Sequence, residues 1–226
     1  MALRGTSELH KFMSTERGLK FLEDRTLRFT QPAFLNDPYE CHLTLDREAV
    51  KSLKEEFQEG YKRHFKDKSD SEVLERTEAH ELSIIENALS TYRKIRNDLG
   101  VLSLTEDPFN LLMWAHYADE HRGLVVELDY SHPSLNIPGK GGDEFAGLFA
   151  VNYTTEKICG VPTPDNVIDT LLTKSLEWAY EKEWRFVRTL NRLKHVGGDV
   201  YVVDVHPEAS SELSLEQDSR RSDLTR

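Results

Sequence analysis

The chain has 226 residues, 38% hydrophobic and 31% charged, with a net charge of −11 and a pI near 5.3. That suits one ordinary domain, or a domain with an insertion, and the acidity argues against holding nucleic acid by a broad electrostatic patch. No apolar run approaches the ~20 residues of a membrane helix. MALRGTSELHK lacks the apolar core of a signal peptide, and Cys41 and Cys159 form no CxxC, so the sequence reads as cytoplasmic, with reduced and buried thiols.

Glu8–Met13 (ELHKFM) reads as a strand, and Ser14-Thr15 as the cap of a short helix carrying Leu19, Phe21 and Leu22. Thr26–Thr30 (TLRFT) alternates and reads as a second strand. QPAFLNDPYE is a loop by its two prolines, yet it holds Asn36, Asp37 and Glu40; turn hydrogen bonds and a binding role are both open for that group. Residues 46–98 are charge-rich and free of proline. Leu53, Phe57, Tyr61, Val73, Leu74, Ile84, Leu89 and Tyr92 predict two amphipathic helices broken near Lys66–Asp70, forming an insertion outside the sheet with a solvated charged face.

After a strand at Val101–Leu104 comes the stretch around which the rest reads as arranged, DPFNLLMWAHYADEHRGLVVELDY. Asp107-Pro108 is a helix-start signal, and Leu111, Trp114, Ala115 and Ala118 form an apolar stripe. Met113, His116, Tyr117 and Glu120 fall on the other side, as if facing a cleft. Gly123 stands where a glycine would stop the helix, and Leu124–Asp129 reads as a strand. Ala146–Tyr153, Lys182–Arg188 and Asp199–Val205 are further strands, Pro164–Trp178 a helix, and residues 207–226 a loose tail. The order implies an α+β fold: a mainly antiparallel central sheet with flanking helices and a helical insertion.

Three groups of residues are candidates for chemistry. His116 and His121 do not share a helix face, being about 140° apart, so no metal site is expected and His116 reads as a hydrogen-bonding residue. In WAYEKEWRFVR, a strand starting near Tyr180 puts Glu181, Glu183 and Arg185 on one side. An exposed charge row is one reading; the flanking Trp178, Trp184 and Phe186 favour burial, and buried charge is seldom kept without a use. A hydrolase built on the two carboxylates ranks lower, since neighbours on one strand hardly flank a bond from two sides. The third group, His10-Lys11 with the NDPYE loop, has no glycine-rich phosphate loop beside it.

LHKF, LRFTQPAFLNDPYE, LSLTEDPFNLLMWAHYADEHRGLVVELD and KSLEWAYEKEWRFVR, in this order between Glu8 and Val205, resemble the successive motifs of the bacterial domain of unknown function 2971. Leu35 interrupts the loop motif, where that family has Phe before Asn-Asp-Pro, and His10 stands where an aromatic is commoner. The resemblance implies a phage-defence setting and no particular activity. The layout is also similar to that of ADP-ribosyltransferases that split NAD. That similarity implies His10 holding the nicotinamide riboside, Thr30 shaping the pocket, and Glu183, with Glu181 as its E-x-E partner, supporting an oxocarbenium-like transition state. The expected cleft therefore takes a nucleotide, with NAD as substrate. It combines His10, Glu181 and Glu183 with Thr30, Asn36, Asp37, Trp114, His116, Tyr117 and Arg185. The rival reading is a non-catalytic sensor that binds a protein partner and uses the same residues as a buried polar network.

Overall fold

The structure, a computed structural model, describes residues 8–35, 43–135, 145–156, 158–160 and 164–213. In chain order the elements are β1 (Glu8–Met13), α1 (Thr15–Asp24), β2 (Thr26–Phe29), α2 (Arg47–His64), α3 (Asp70–Ala79), α4 (Glu81–Asn97), β3 (Leu99–Thr105), α5 (Leu111–Tyr117) and β4 (Leu124–Asp129). They continue with β5 (Gly147–Ala150), β6 (Asn152–Thr154), α6 (Pro164–Leu171), β7 (Thr173–Ser175), β8 (Glu183–Thr189), β9 (Lys194–Gly197), β10 (Val200–Asp204) and β11 (Ser210–Leu213). Six strands form an antiparallel sheet in the order β11-β4-β1-β3-β8-β5, and β2-β10-β9 form a second sheet. The short β6–β7 pair is parallel. This is the α+β layout read from the sequence.

The two faces of the large sheet do different work, as the two-residue side-chain period requires. Leu9, Met13, Leu102, Leu104, Val126, Leu128, Trp184 and Phe186 point to one face and join Phe21 of α1 and Leu27 and Phe29 of β2 in the largest core. On the other face two smaller cores sit apart. One packs Tyr92 of α4 and Val167 and Leu171 of α6 on Leu99, Val101 and Val187; the other packs Met113, Trp114 and Ala118 on Phe12 and Val125. The space between them is the cleft.

A fork in the strand order deepens that space. β3 pairs with β8 along its whole length, but on its other edge with β1 only at His10↔Thr105 and with Thr30 only at Val101. β1 and β2 therefore part over Ser103. Val101 exchanges both backbone bonds with Thr30 at 2.8 Å, so Ser103, two residues on, turns its own N–H and C=O toward the opening.

Several boundaries differ from the sequence reading. Asp107 caps only a turn, accepting from Phe109 N at 3.1 Å, while Asn110 caps α5 by accepting from Leu112 N and Met113 N. α5 ends at Tyr117, and Asp119, Glu120 and His121 all take positive φ. Gly123 lies past this turn; its need is close approach, because a Cβ there would sit 2.1 Å from Met13 O. The predicted helix 164–178 divides into α6, β7 and a 3₁₀ turn, Leu176–Glu181. The insertion holds three helices outside the sheets, with a second break at His80. Residues 210–213, read as tail, form β11 on the edge strand β4. Cys159 is exposed; Cys41 lies outside the described residues.

Candidate functional site

Two carboxylates and two cations are packed into the floor of the cleft, all nearly shut from solvent: Glu181 at 2% exposure, Glu183 at 5%, Lys174 at 7% and Arg185 at 1%. Lys174, on β7, donates to Glu181 Oε2 at 2.6 Å and to Glu183 Oε2 at 3.1 Å. Arg185 donates from Nε to Glu183 Oε1 at 2.8 Å and from Nη2 to Oε2 at 3.0 Å, and its Nη1 reaches Leu171 O at the end of α6. A planar guanidinium is suited to such a two-point grip. The Tyr117 hydroxyl donates to Glu181 Oε1 at 2.7 Å. Thr105 Oγ1 holds the Glu181 backbone carbonyl at 2.6 Å.

The route to this cluster differs from the one predicted. Glu181 is not on the strand. It ends the 3₁₀ turn, and Lys182 takes a left-handed conformation (φ 44°) before β8 begins at Glu183. Glu181 and Glu183 still converge, through Lys174 rather than through strand alternation.

The two carboxyls are driven apart in acidity. Burial pushes Glu181 above the ordinary carboxylate range, and Lys174 offsets this only in part. Burial also opposes the charge on Glu183, but Arg185, Lys174 and the Ser103 hydroxyl overcome it and bring its pKa down to about 2. Burial and the bond to Glu181 push the Tyr117 hydroxyl up, so it stays a donor. One acid is biased toward the ionised form and its neighbour toward the proton, the pattern by which environment separates the roles of paired acids.

His10 is buried on β1 and stands in one row with Thr105 and Glu183, cross-strand neighbours on the same face. His10 and Glu183 are thus two strand spacings apart, about 10 Å. His10 Nδ1 lies 3.3 Å from Thr105 O, which can only accept, so that nitrogen carries a proton; Nε2 lies 3.5 Å from Glu127 Oε2. The cleft, a cavity of about 160 Å³, is lined by His10, Thr30, Tyr117, Glu181, Glu183 and Arg185 among the predicted residues, together with Lys11, Ser103, Thr105 and Lys174.

Other predicted members lie elsewhere. Trp114 is a core residue, its ring edge-on to Phe12 and its Nε1 donating to Pro108 O at 2.8 Å. His116 is exposed and faces Trp178, with ring centroids 6.5 Å apart; Met113 and Tyr117, one turn apart, face the cleft instead. Asn36 and Asp37 lie outside the described residues. Thr30 does line the cleft, from just past β2 where it bridges Val101, but the hydroxyl between His10 and Glu183 is that of Thr105. The sequence reading missed Lys174 altogether; a lone lysine in TKSLEW has no pattern to mark it, and only its burial beside two acids reveals it.

A second cluster, His132, His206 and Glu208, brings potential ligand atoms within 4.8 Å of one another. It is partly or wholly exposed, and both Nδ1 atoms already accept backbone N–H groups, from Ser134 and Glu208. Among the described residues no helix is long and apolar enough to cross a membrane. The chain matches no protein-family model, no curated protein and no solved structure.

Proposed function

We propose that the cleft binds NAD or a related nucleotide and that Glu183 serves a reaction of the ADP-ribosyltransferase kind. The observation that carries this reading is the row His10–Thr105–Glu183 across three adjacent strands, ending on a carboxylate held ionised in a water-poor cavity. In the proposed step the bond between ribose C1′ and the nicotinamide nitrogen breaks, and its electron pair leaves with nicotinamide. The positive charge that develops on the sugar is stabilised by Glu183, and a hydroxyl of the acceptor, or water, then forms the new bond at C1′ and releases its proton to solvent. A fixed anion that needs no reorganisation is the strongest single device for such a transition state. The family resemblance adds phage defence as the proposed setting.

The test compares NAD consumption and melting temperature for wild type and Glu183→Gln. Glu183→Gln is expected to keep ligand binding and lose turnover by about two to three orders of magnitude. One observation favours the rival sensor reading: both Glu183 oxygens already accept from Arg185 and Lys174. If wild type consumes no NAD with any acceptor or activator and Glu183→Gln chiefly lowers the melting temperature, the network is structural and the sensor reading replaces the transferase.

A further inference from the structure

Position 11 is a core position by the alternation of β1: Leu9 and Met13, its same-face neighbours, are buried in the main core. A lysine there needs a polar exit, and the fork provides one. Its ammonium reaches between β1 and β3 and donates to Ser103 O at 2.9 Å, a carbonyl that a continuous ladder would have paired with another strand. An ammonium has three donors, and among the described residues this neutral oxygen is the one hydrogen-bond partner of Lys11 Nζ. Among the described residues no carboxylate lies within ion-pairing distance of it, Glu181 and Glu183 being gripped by Lys174 and Arg185. Burial opposes the charge of Lys11 and holds its pKa below the ordinary lysine value; the attraction of Glu183, itself opposed by Arg17 on α1 and aided by Glu181, offsets this only in part. The Ser103 N–H faces the same opening.

We propose that the fork is an oxyanion site, in which Lys11 Nζ and the Ser103 N–H hold a phosphate oxygen of the ligand while the remainder lies toward Glu183. This rests on the reading of the cleft as a ligand site and narrows the ligand to one carrying a phosphate. A bound oxyanion supplies a charge partner for Lys11, which has none among the described residues, and a charge-assisted bond to a part-buried ammonium is stronger than a neutral one.

The test titrates inorganic phosphate, pyrophosphate, ADP-ribose, NAD and nicotinamide riboside into wild type, Lys11→Gln and Lys11→Arg, with melting curves for each. Gln retains a donor toward Ser103 O without the charge. Lys11→Gln is expected to weaken pyrophosphate, ADP-ribose and NAD about tenfold or more, the loss of one charge-assisted hydrogen bond, and to leave the phosphate-free riboside unchanged. Lys11→Arg is expected to restore most of the loss. Equal binding of pyrophosphate by wild type and Lys11→Gln overturns the anchor, as does its failure to bind wild type; riboside binding in the same experiment leaves the cleft reading intact. Pyrophosphate binding that depends on Lys11, without binding of NAD or riboside, keeps the anchor and sinks the dinucleotide reading.

Discussion

In the helical insertion Lys68 and Glu72 pair at 2.9 Å with 39% and 49% of their side chains in solvent; in the cleft Lys174 and Glu181 pair at 2.6 Å with 7% and 3%. The chemistry is the same and the setting is opposite. The insertion scatters its charges over exposed faces of α2, α3 and α4, and few of its residues are buried: Ala49, Leu53, Val73, Thr77 and Tyr92. Such pairs contribute little, because water competes for both partners. The cleft gathers four ionisable groups nearly shut from solvent, and desolvating them has a large free-energy cost. Hydrophobic replacements of similar shape are often as stable or more so, so stability alone is a weak account of this cluster. That is why the functional reading is built on the cleft and not on the far more numerous charges of the insertion.

The contrast breaks most directly at the shared cation. Lys174→Met leaves Glu181 and Glu183 buried without the ammonium that both accept from, and the expected loss is about 3–5 kcal/mol in urea unfolding. Lys68→Met in the insertion should leave the urea midpoint nearly unchanged. If the two losses are alike, the cleft charges are better hydrated than their burial implies, and the argument from desolvation fails.

Acid sharpens the same comparison, because Glu183 and Glu72 are both brought down to about 2 by different means. For Glu72 the cause is the Ser69 backbone N–H first, then Lys68 and the Ser69 hydroxyl, all exposed. A depressed carboxyl contributes stability that is present above its ordinary value of 4.5 and is lost as pH falls toward 2. Glu181 has the opposite sign: its raised pKa means stability is lost as pH rises through the folded value. The cleft limb of the acid-unfolding curve, between pH 4.5 and 2, should therefore flatten in Glu183→Gln and persist in Glu181→Gln. Carboxyl titrations followed by NMR in high salt should move Glu72 up, as its Lys68 attraction is screened, while Glu183 holds its place. Movement of Glu183 with salt would mean that the cleft is open to ions.

Much of this geometry was legible where one local rule acts alone. β1 has the bounds its alternation predicts, and Ser14 caps α1 as read, accepting from Arg17 N at 3.3 Å. The break at Lys66–Asp70 is real because Ser69 and Glu72 form a capping box there. Where two residues compete for one role, the sequence does not choose. Asp107 and Asn110 are both good caps, and only packing of Trp114 and Met113 on Phe12 and Val125 settles the start of α5 at Leu111. Three-dimensional facts had no sequence signal at all. Thr105 rather than Thr30 stands between His10 and Glu183 because β2 leaves the large sheet after one bridge, and strand order is not written in any strand. Lys174 is invisible for the same reason.

The smallest effect separates the two regions by what an added methyl group does. Gly60 lies inside α2, and a Cβ built there meets nothing within 4 Å. Its φ is not in the left-handed region, so glycine is not needed for conformation and only weakens the helix through the entropy of the unfolded chain. Gly60→Ala should therefore stabilise by about 0.5–1 kcal/mol, raising the melting temperature by a few degrees at most. The gain should appear as slower amide exchange in α2, with phosphate and NAD titrations unchanged, because the insertion stands outside both sheets. A change in ligand affinity in Gly60→Ala would couple α2 to the cleft. The path for such coupling is already in place: α2 packs on α4, whose Tyr92 hydroxyl bonds Thr170 of α6 at 2.6 Å, one residue from the Leu171 carbonyl that receives Arg185. The insertion would then be a regulator of the site rather than a bystander.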